Sequence, residues 1–241
     1  MTVALGSLAW SELDAAGTTL LVPLGSCEQH GPHLPLDTDT RIAVHVASAA
    51  ADRLTRRHSR RTLVAPAIAI GASGEHDAFA GTLSIGTEVL ASVVVELVRS
   101  ADRFGSTVLV NAHGGNATAL AAACSTLDGD GRPTRCWHAA VPGGDAHAGR
   151  SETSMLLAID AGVVRLERAA PGNVIAIAEL LDELRTRGVG AVSANGVLGD
   201  PTGATASEGQ QLLDGLVDRL VDTVLGDRGV GSRPRPTADR R

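Results

Sequence analysis

The sequence predicts an α/β fold: a single-domain three-layer sandwich with a mostly parallel sheet and helices on both faces. Three observations carry this prediction. Short apolar runs alternate with longer segments whose apolar residues recur at helical spacing, in the order strand–helix–strand–helix–strand–helix. That alternation builds a parallel sheet with crossover helices. Three of the apolar runs are each followed by a polar loop, as expected where chains leave the carboxyl ends of parallel strands. Composition is that of a globular chain, with 44% apolar and 20% charged residues.

The elements follow in order. Residues 1–17 form a short helical lead-in that stops at Gly17, and residues 18–24 are a β-branched, apolar central strand. A helix runs from Thr40 to about Arg57, with Ile42, Val46, Ala49, Ala50 and Leu54 on its apolar face. Asp37 or Asp39 can cap its start, where a carboxylate also meets the positive helix end. His45 and His58 belong to this helix as ordinary residues. Residues 62–70 read as a second strand, followed by a glycine-rich loop at 71–86 and an amphipathic helix from Glu88 to Arg103. Residues 107–110 are a third strand ending in N-A-H-G-G-N (111–116), and residues 117–127 a third helix. After the turn D-G-D-G-R-P, residues 134–140 make a fourth strand, which leads into P-G-G-D-A-H-A-G-R-S-E-T-S (142–154). Ser151 and Glu152 open a helix through Leu157. Residues 160–200 are irregular apart from a helix near 178–187, and residues 207–225 form the last helix. One domain is therefore expected over residues 1–227, with a disordered polar tail at 228–241.

Composition excludes several function classes. At 241 residues the chain can bury one large core. A net charge of −6 argues against broad nucleic-acid or anionic-membrane binding. No apolar run reaches the ~18–20 residues that a membrane span needs, and the first residues lack a basic n-region, so neither a membrane segment nor a signal peptide is expected. Cys27, Cys124 and Cys136 are too few and too scattered for a disulfide framework. The expected compartment is therefore the reducing cytoplasm. The chain has no lysine and no tyrosine, which removes Schiff-base, P-loop and tyrosine-acid chemistries. Neither G-x-G-x-x-G nor G-x-S-x-G occurs.

The chemistry concentrates in Leu20–Thr40, L-L-V-P-L-G-S-C-E-Q-H-G-P-H-L-P-L-D-T-D-T. Glu28, His30, His33, Asp37 and Asp39 fall within twelve residues. Gly31, Pro32 and Pro35 forbid a regular helix between them. Mixed imidazole and carboxylate donors suit zinc, iron(II) or manganese. A solvated polar loop is the bland alternative, which two prolines and an apolar flank disfavour. Cys27, beside Glu28, reads as a space-filling thiol rather than a nucleophile. If the polar loops converge on one sheet edge, Glu28, His30, His113, His147 and Glu152 meet there. A carboxylate that bridges two cations would make the site dinuclear and suited to amide hydrolysis.

Four motifs carry a resemblance. They are P-L-G-S-C-E-Q-H-G-P-H-L-P-L-D-T-D-T, E-H-x-x-F-x-G-T-x-S-I-G (75–86), N-A-H-G-G-N and H-A-G-x-x-E-T-S (147–154). Together, and in this order, they resemble the signature of the creatininase (creatinine amidohydrolase) family. Their details resemble the branch of that family that serves the mycofactocin system. The resemblance implies a creatininase-like fold and two divalent ions, Fe2+ and/or Zn2+, with Mn2+ also compatible. It implies Glu28 on one ion, His30 on the other, Asp39 as the bridge and His113 as a further ligand. Asp37 is then a supporting or capping residue. Creatininase carries a glutamate where this chain has Gly115, and Glu152 is the substitute ligand. His147 matches the acid/base histidine. Glu75, His76, Gly114, Gly115 and Asn116 are assigned to substrate binding. The family also implies a homo-oligomer, often a hexamer.

The function implied is a metal-dependent peptidase that releases the C-terminal modified Val–Tyr-derived dipeptide from a precursor peptide. The alternatives are a small-molecule amidohydrolase acting on a cyclic amide or formamide, and a non-catalytic metal-binding protein. Creatininase stacks its substrate on tryptophans. Here only Trp10 and Trp137 exist, and neither lies beside His147 in the sequence, which disfavours creatinine.

Overall fold

The computed structural model describes residues 4–226. Strands β1 (Thr19–Leu24), β2 (Thr62–Val64), β3 (Ser106–Asn111) and β4 (Arg135–His138) form one sheet in the order β2-β1-β3-β4. Every neighbouring pair is parallel. The helices are α1 (Thr38–His58), α2 (Gly86–Ser100), α3 (Ala117–Gly129), α4 (Arg150–Asp160), α5 (Ile177–Arg187), α6 (Val189–Val192) and α7 (Ala206–Gly226).

The strands have apolar residues on both faces because both faces are covered. Side chains alternate across the sheet. Leu21, Val64, Val108 and Val110 point one way and pack with Val46 and Leu54 of α1, Leu156 of α4, and Leu216 and Leu220 of α7. Leu20, Val22, Leu63 and Leu109 point the other way, onto Leu90 and Val94 of α2 and Leu120 and Leu127 of α3. This is the three-layer arrangement that the sequence predicts. No helix among the described residues is long and apolar enough to cross a membrane.

The differences lie at element ends. The lead-in is two 3-10 turns, Leu5–Ser7 and Trp10–Glu12, rather than a helix. The second strand stops at Val64, because the bonds to β1 skip from Ala65 to Ile68 instead of continuing at every second residue. The chain nevertheless still tracks β1, with Ala65 N–H donating to Leu21 O at 2.9 Å and Ile68 N–H to Pro23 O at 3.0 Å. β4 is shorter than the expected 134–140. Helix α1 begins at Thr38, and Asp37 occupies its N-cap position, but the Asp37 carboxylate accepts from Arg41 Nε at 2.7 Å instead of capping the backbone. Helix α4 runs on to Asp160, and α6 was not expected from the sequence. The three cysteines are free thiols, with the sulfurs of Cys124 on α3 and Cys136 on β4 2.7 Å apart. The tail predicted at 228–241 lies outside the described residues.

Helices α4 and α7 cross closely enough that a Cβ on Gly209 would lie 1.8 Å from the Ser154 carbonyl oxygen. Backbone cannot move aside as a flexible side chain can. Gly209→Ala is therefore expected to lower stability by about 1–3 kcal/mol, the usual range for overpacking. On the same helix a Cβ on Gly215 meets nothing nearer than Arg219 Nη1, at 3.5 Å. There Gly→Ala should gain up to about 1 kcal/mol from helix propensity. Urea denaturation of both variants measures the contrast, and equal effects would show that the α4–α7 approach is not a constraint.

Candidate metal centre

All four β-strands end at the same edge of the sheet, and the loops leaving them build the site. β1 delivers Glu28, Gln29 and His30. The loop after β2 brings Glu75 and His76, β3 brings His113, and the segment after β4 brings His147 and then Glu152 in the first turn of α4. Asp39 comes from the first turn of α1. Asn116 ties three of these loops together from a fully buried position. Its Nδ2 donates to Gly25 O and to Asn111 Oδ1, both at 3.0 Å, and its Oδ1 accepts from Ala72 N at 2.9 Å.

Glu28 is 0% exposed, and neither of its oxygens has a hydrogen-bond partner. Imidazoles surround it. His76 Nε2 lies 3.3 Å from Oε1, His147 Nδ1 3.8 Å from Oε1, and His113 Nε2 3.2 Å from Oε2. A buried, unpartnered carboxylate is costly unless a cation meets it. Asp39 faces two imidazoles with its two oxygens: Oδ1 is 3.1 Å from His30 Nε2, and Oδ2 is 3.2 Å from His113 Nδ1. Ser26 Oγ steadies that carboxylate by donating to Oδ2 at 2.7 Å. Glu152 Oε2 lies 3.9 Å from His30 Nε2 and accepts from Ala148 N at 2.6 Å. Ala148 holds a left-handed φ of 53°, uncommon for a residue with a side chain and typical of constrained site loops.

Donor atoms gather into three groups: Glu28–Asp39–His113, His30–His147–Glu152 and Glu28–His76–His147. Electrostatics point the same way. Burial favours neutral His30, but Asp39, with Glu152 and Glu28 behind it, lifts its pKa to about 10. His113 is likewise raised well above its ordinary value, against burial, by Asp39, Glu28 and Glu75. Burial lifts Glu152 to about 7. The carboxylates of this pocket thus call for positive charge. Nitrogen and oxygen donors in these groups fit a divalent transition ion.

The structure brings together the predicted ligands Glu28, His30, Asp39, His113 and Glu152, with His147 among them. It separates the other two candidates of the same stretch. His33 Nε2 pairs with Thr153 Oγ1 at 2.9 Å, and Asp37 pairs with Arg41. His76 sits deeper than a simple substrate contact, inside the donor cluster. Glu75 reaches His113 Nε2 at 3.4 Å, through space that Gly115 leaves open, since a Cβ there would stand 2.2 Å from Glu75 Oε1. Gly114 is exposed at the same turn. Cys27 Sγ lies 3.7 Å from Gly81 O and joins none of the donor groups. Trp137 is in the core and Trp10 is 87% exposed, so neither forms a stacking wall beside His147. Sequence reasoning passed over Gln29, a neutral amide between two ligands. Its only signal was its place in the E-Q-H-G run.

Comparison with known proteins adds to this geometry. The family model described as creatininase, creatinine amidohydrolase, matches residues 6–224. The mycofactocin precursor peptide peptidase of Mycobacterium ulcerans is 50% identical over 230 residues, covering 91% of this chain and 90% of the relative. The same-named protein of Mycolicibacterium smegmatis is 47% identical over 221 residues, at 91% and 90% coverage. Among solved structures, a creatinine amidohydrolase (creatininase) superposes with a TM-score of 0.75 at 23% identity, covering 98% of this chain and 99% of that one. A creatininase described as its manganese form gives a TM-score of 0.75 at 24% identity, covering 94% and 99%.

Because the two Asp39 oxygens face different imidazoles while Asp37 faces Arg41, the two aspartates should differ in metal content. Asp39→Asn is expected to lose metal at every position of the cluster, and Asp37→Asn to keep it. Elemental analysis of both purified variants checks this. Retention in Asp39→Asn with loss in Asp37→Asn would reverse the roles.

Proposed function

The chain belongs to the creatininase family, and from that membership we propose that it is a metal-dependent peptidase that cleaves a mycofactocin-type precursor peptide near its C-terminus. The product would be the modified Val–Tyr-derived dipeptide. The substrate reading rests on half-identity to a peptidase of that name over nine-tenths of the chain. The observation that carries the chemistry is the buried, unpartnered carboxylate of Glu28 inside a ring of imidazoles. Glu28, Asp39 and His113 would hold one divalent ion, and His30, Asp39 and Glu152 the second. Iron(II), zinc and manganese all suit these donors. Such ions supply a nucleophilic water near neutral pH and polarise the scissile carbonyl.

The chain's own residues do the rest. His147 Nε2–H donates to Gln29 O at 2.8 Å, which leaves Nδ1 facing the pocket, 3.8 Å from Glu28 Oε1. Burial, with His30 and His76 adding to it, holds His147 well below its ordinary pKa, so the imidazole is neutral and its Nδ1 is a ready proton acceptor. Nδ1 takes the proton released as water attacks and returns it to the departing amine, a poor leaving group unless protonated. Glu75, beside the open face at Gly114 and Gly115, is positioned to contact the peptide. Burial opposes its charge, but His113 keeps its carboxyl below the usual range and therefore ionised. A small-molecule amidohydrolase would use the same centre, but no tryptophan stands beside His147 to stack a flat ring.

His147→Ala should keep its metal and lose turnover by ~10²–10⁴-fold, the usual contribution of one general acid–base group. Single-turnover cleavage of modified and unmodified precursor, read by mass spectrometry beside elemental analysis, measures it. Loss of metal in that variant would make His147 a ligand instead, and wild-type rates would remove it from the reaction. Hydrolysis of creatinine without peptide cleavage by the wild type would move the substrate to the small-molecule class. Cys27→Ser should keep most activity, and complete loss in a folded, metal-loaded Cys27→Ser protein would point to a thiol nucleophile.

A further inference from the structure

Gln29 lies between two ligands, is 5% exposed and has polar contacts in every direction. Its Oε1 accepts from Gly31 N–H at 2.8 Å, which fixes which end of the amide is oxygen. Its Nε2 then has three neighbours: Gly196 O at 3.0 Å, His76 Nδ1 at 2.9 Å and His147 Nε2 at 3.0 Å. An amide nitrogen has two hydrogens, so one neighbour goes without.

The backbone decides which. His147 Nε2 also lies 2.8 Å from the Gln29 carbonyl oxygen, which can only accept. His147 Nε2 therefore carries a hydrogen and cannot accept one from the amide. The two amide hydrogens go to Gly196 O and to His76 Nδ1. His76, accepting at Nδ1, is neutral with its hydrogen on Nε2. That N–H is the group 3.3 Å from Glu28 Oε1.

We propose that Gln29 fixes which nitrogens of His76 and His147 carry hydrogen, so that His76 turns an N–H toward Glu28 and is not a metal ligand there, while His147 faces it with an open Nδ1. Gln29 is thus a positioning residue acting through two histidines. The inference rests on the reading of Glu28 as a metal ligand and sharpens it: the His76 N–H lies on the Oε1 side, 3.3 Å away and without a hydrogen bond, so Oε2, beside His113, would be the oxygen offered to an ion. Of the three donor groups, Glu28–His76–His147 is then a support rather than an ion site, and two remain for ions. Carbonyl and carboxylate partners that orient histidines around metal centres typically matter by 10–100-fold in affinity or activity.

The test is two-bond proton–nitrogen NMR of histidine-labelled, zinc-loaded wild-type protein, which reads the tautomer of each ring without substrate. His76 and His147 should both show the Nε2–H form. A His76 signal lacking hydrogen on Nε2, as a ligand through that atom would give, overturns the proposal. Gln29→Glu, which accepts but does not donate, should switch His76 to the Nδ1–H form, keep the zinc content and lower kcat by about 10–100-fold with little change in KM. Gln29→Glu with the wild-type His76 tautomer and kcat would also overturn it. If that variant does not fold, the wild-type spectrum still decides. Because no cleavage assay enters the NMR measurement, its failure is separate from failure of the peptidase reading.

Discussion

The structure turns on a carboxylate buried without a hydrogen-bond donor. Glu28 is fully enclosed at the end of the central strand, and both oxygens are unpartnered. Burying an isolated charge carries an effective penalty of several kcal/mol even after relaxation. Ordinary folds avoid it by supplying backbone N–H groups or an arginine. Here histidines stand around it, His76, His113 and His147, and each has its remaining nitrogen engaged elsewhere. This is the donor arrangement that the divalent-ion site proposed above requires.

Holding such a cradle open requires that the surrounding loops be fixed by something other than the ions. Asn116 straps the ends of β1 and β3 to the loop after β2. The segment 196–199 clamps the His147 loop through paired backbone hydrogen bonds between His147 and Leu198. Gln29 joins the first loop to both. These contacts are between neutral groups and backbone, so they leave both Glu28 oxygens uncommitted. The positively charged requirement is left to the pocket itself, where Asp39 and the glutamates raise His30 and His113.

Much of the fold was legible because its signals are local. Apolar runs, helical spacing and Gly/Pro punctuation placed the four strands and the long helices close to where they lie. Errors occurred where local signals compete. The apolar run 62–70 slips by one residue against β1 after Ala65 and does not stay a strand, and the lead-in forms two 3-10 turns instead of a helix. In the site, the resemblance to creatininase selected Asp39 over Asp37. The geometry gives the reason: Arg41 takes Asp37 and the imidazoles take Asp39.

The sequence by itself determined the α/β class, the sheet edge on which the polar loops collect and the chemical types of the donors, because periodicity and residue identity are properties of the chain. The tertiary structure decided which donors meet. His33 and His30 are three residues apart, yet the loop sends one to Thr153 and the other to Asp39. Gly115 appeared as a missing side chain, and only packing shows that its absence admits the Glu75 carboxylate to His113. The protonated nitrogen of an imidazole is likewise invisible in sequence. It depends on the group facing the other nitrogen, and for His76 and His147 that group is Gln29, reached from loops 47 and 118 residues away along the chain.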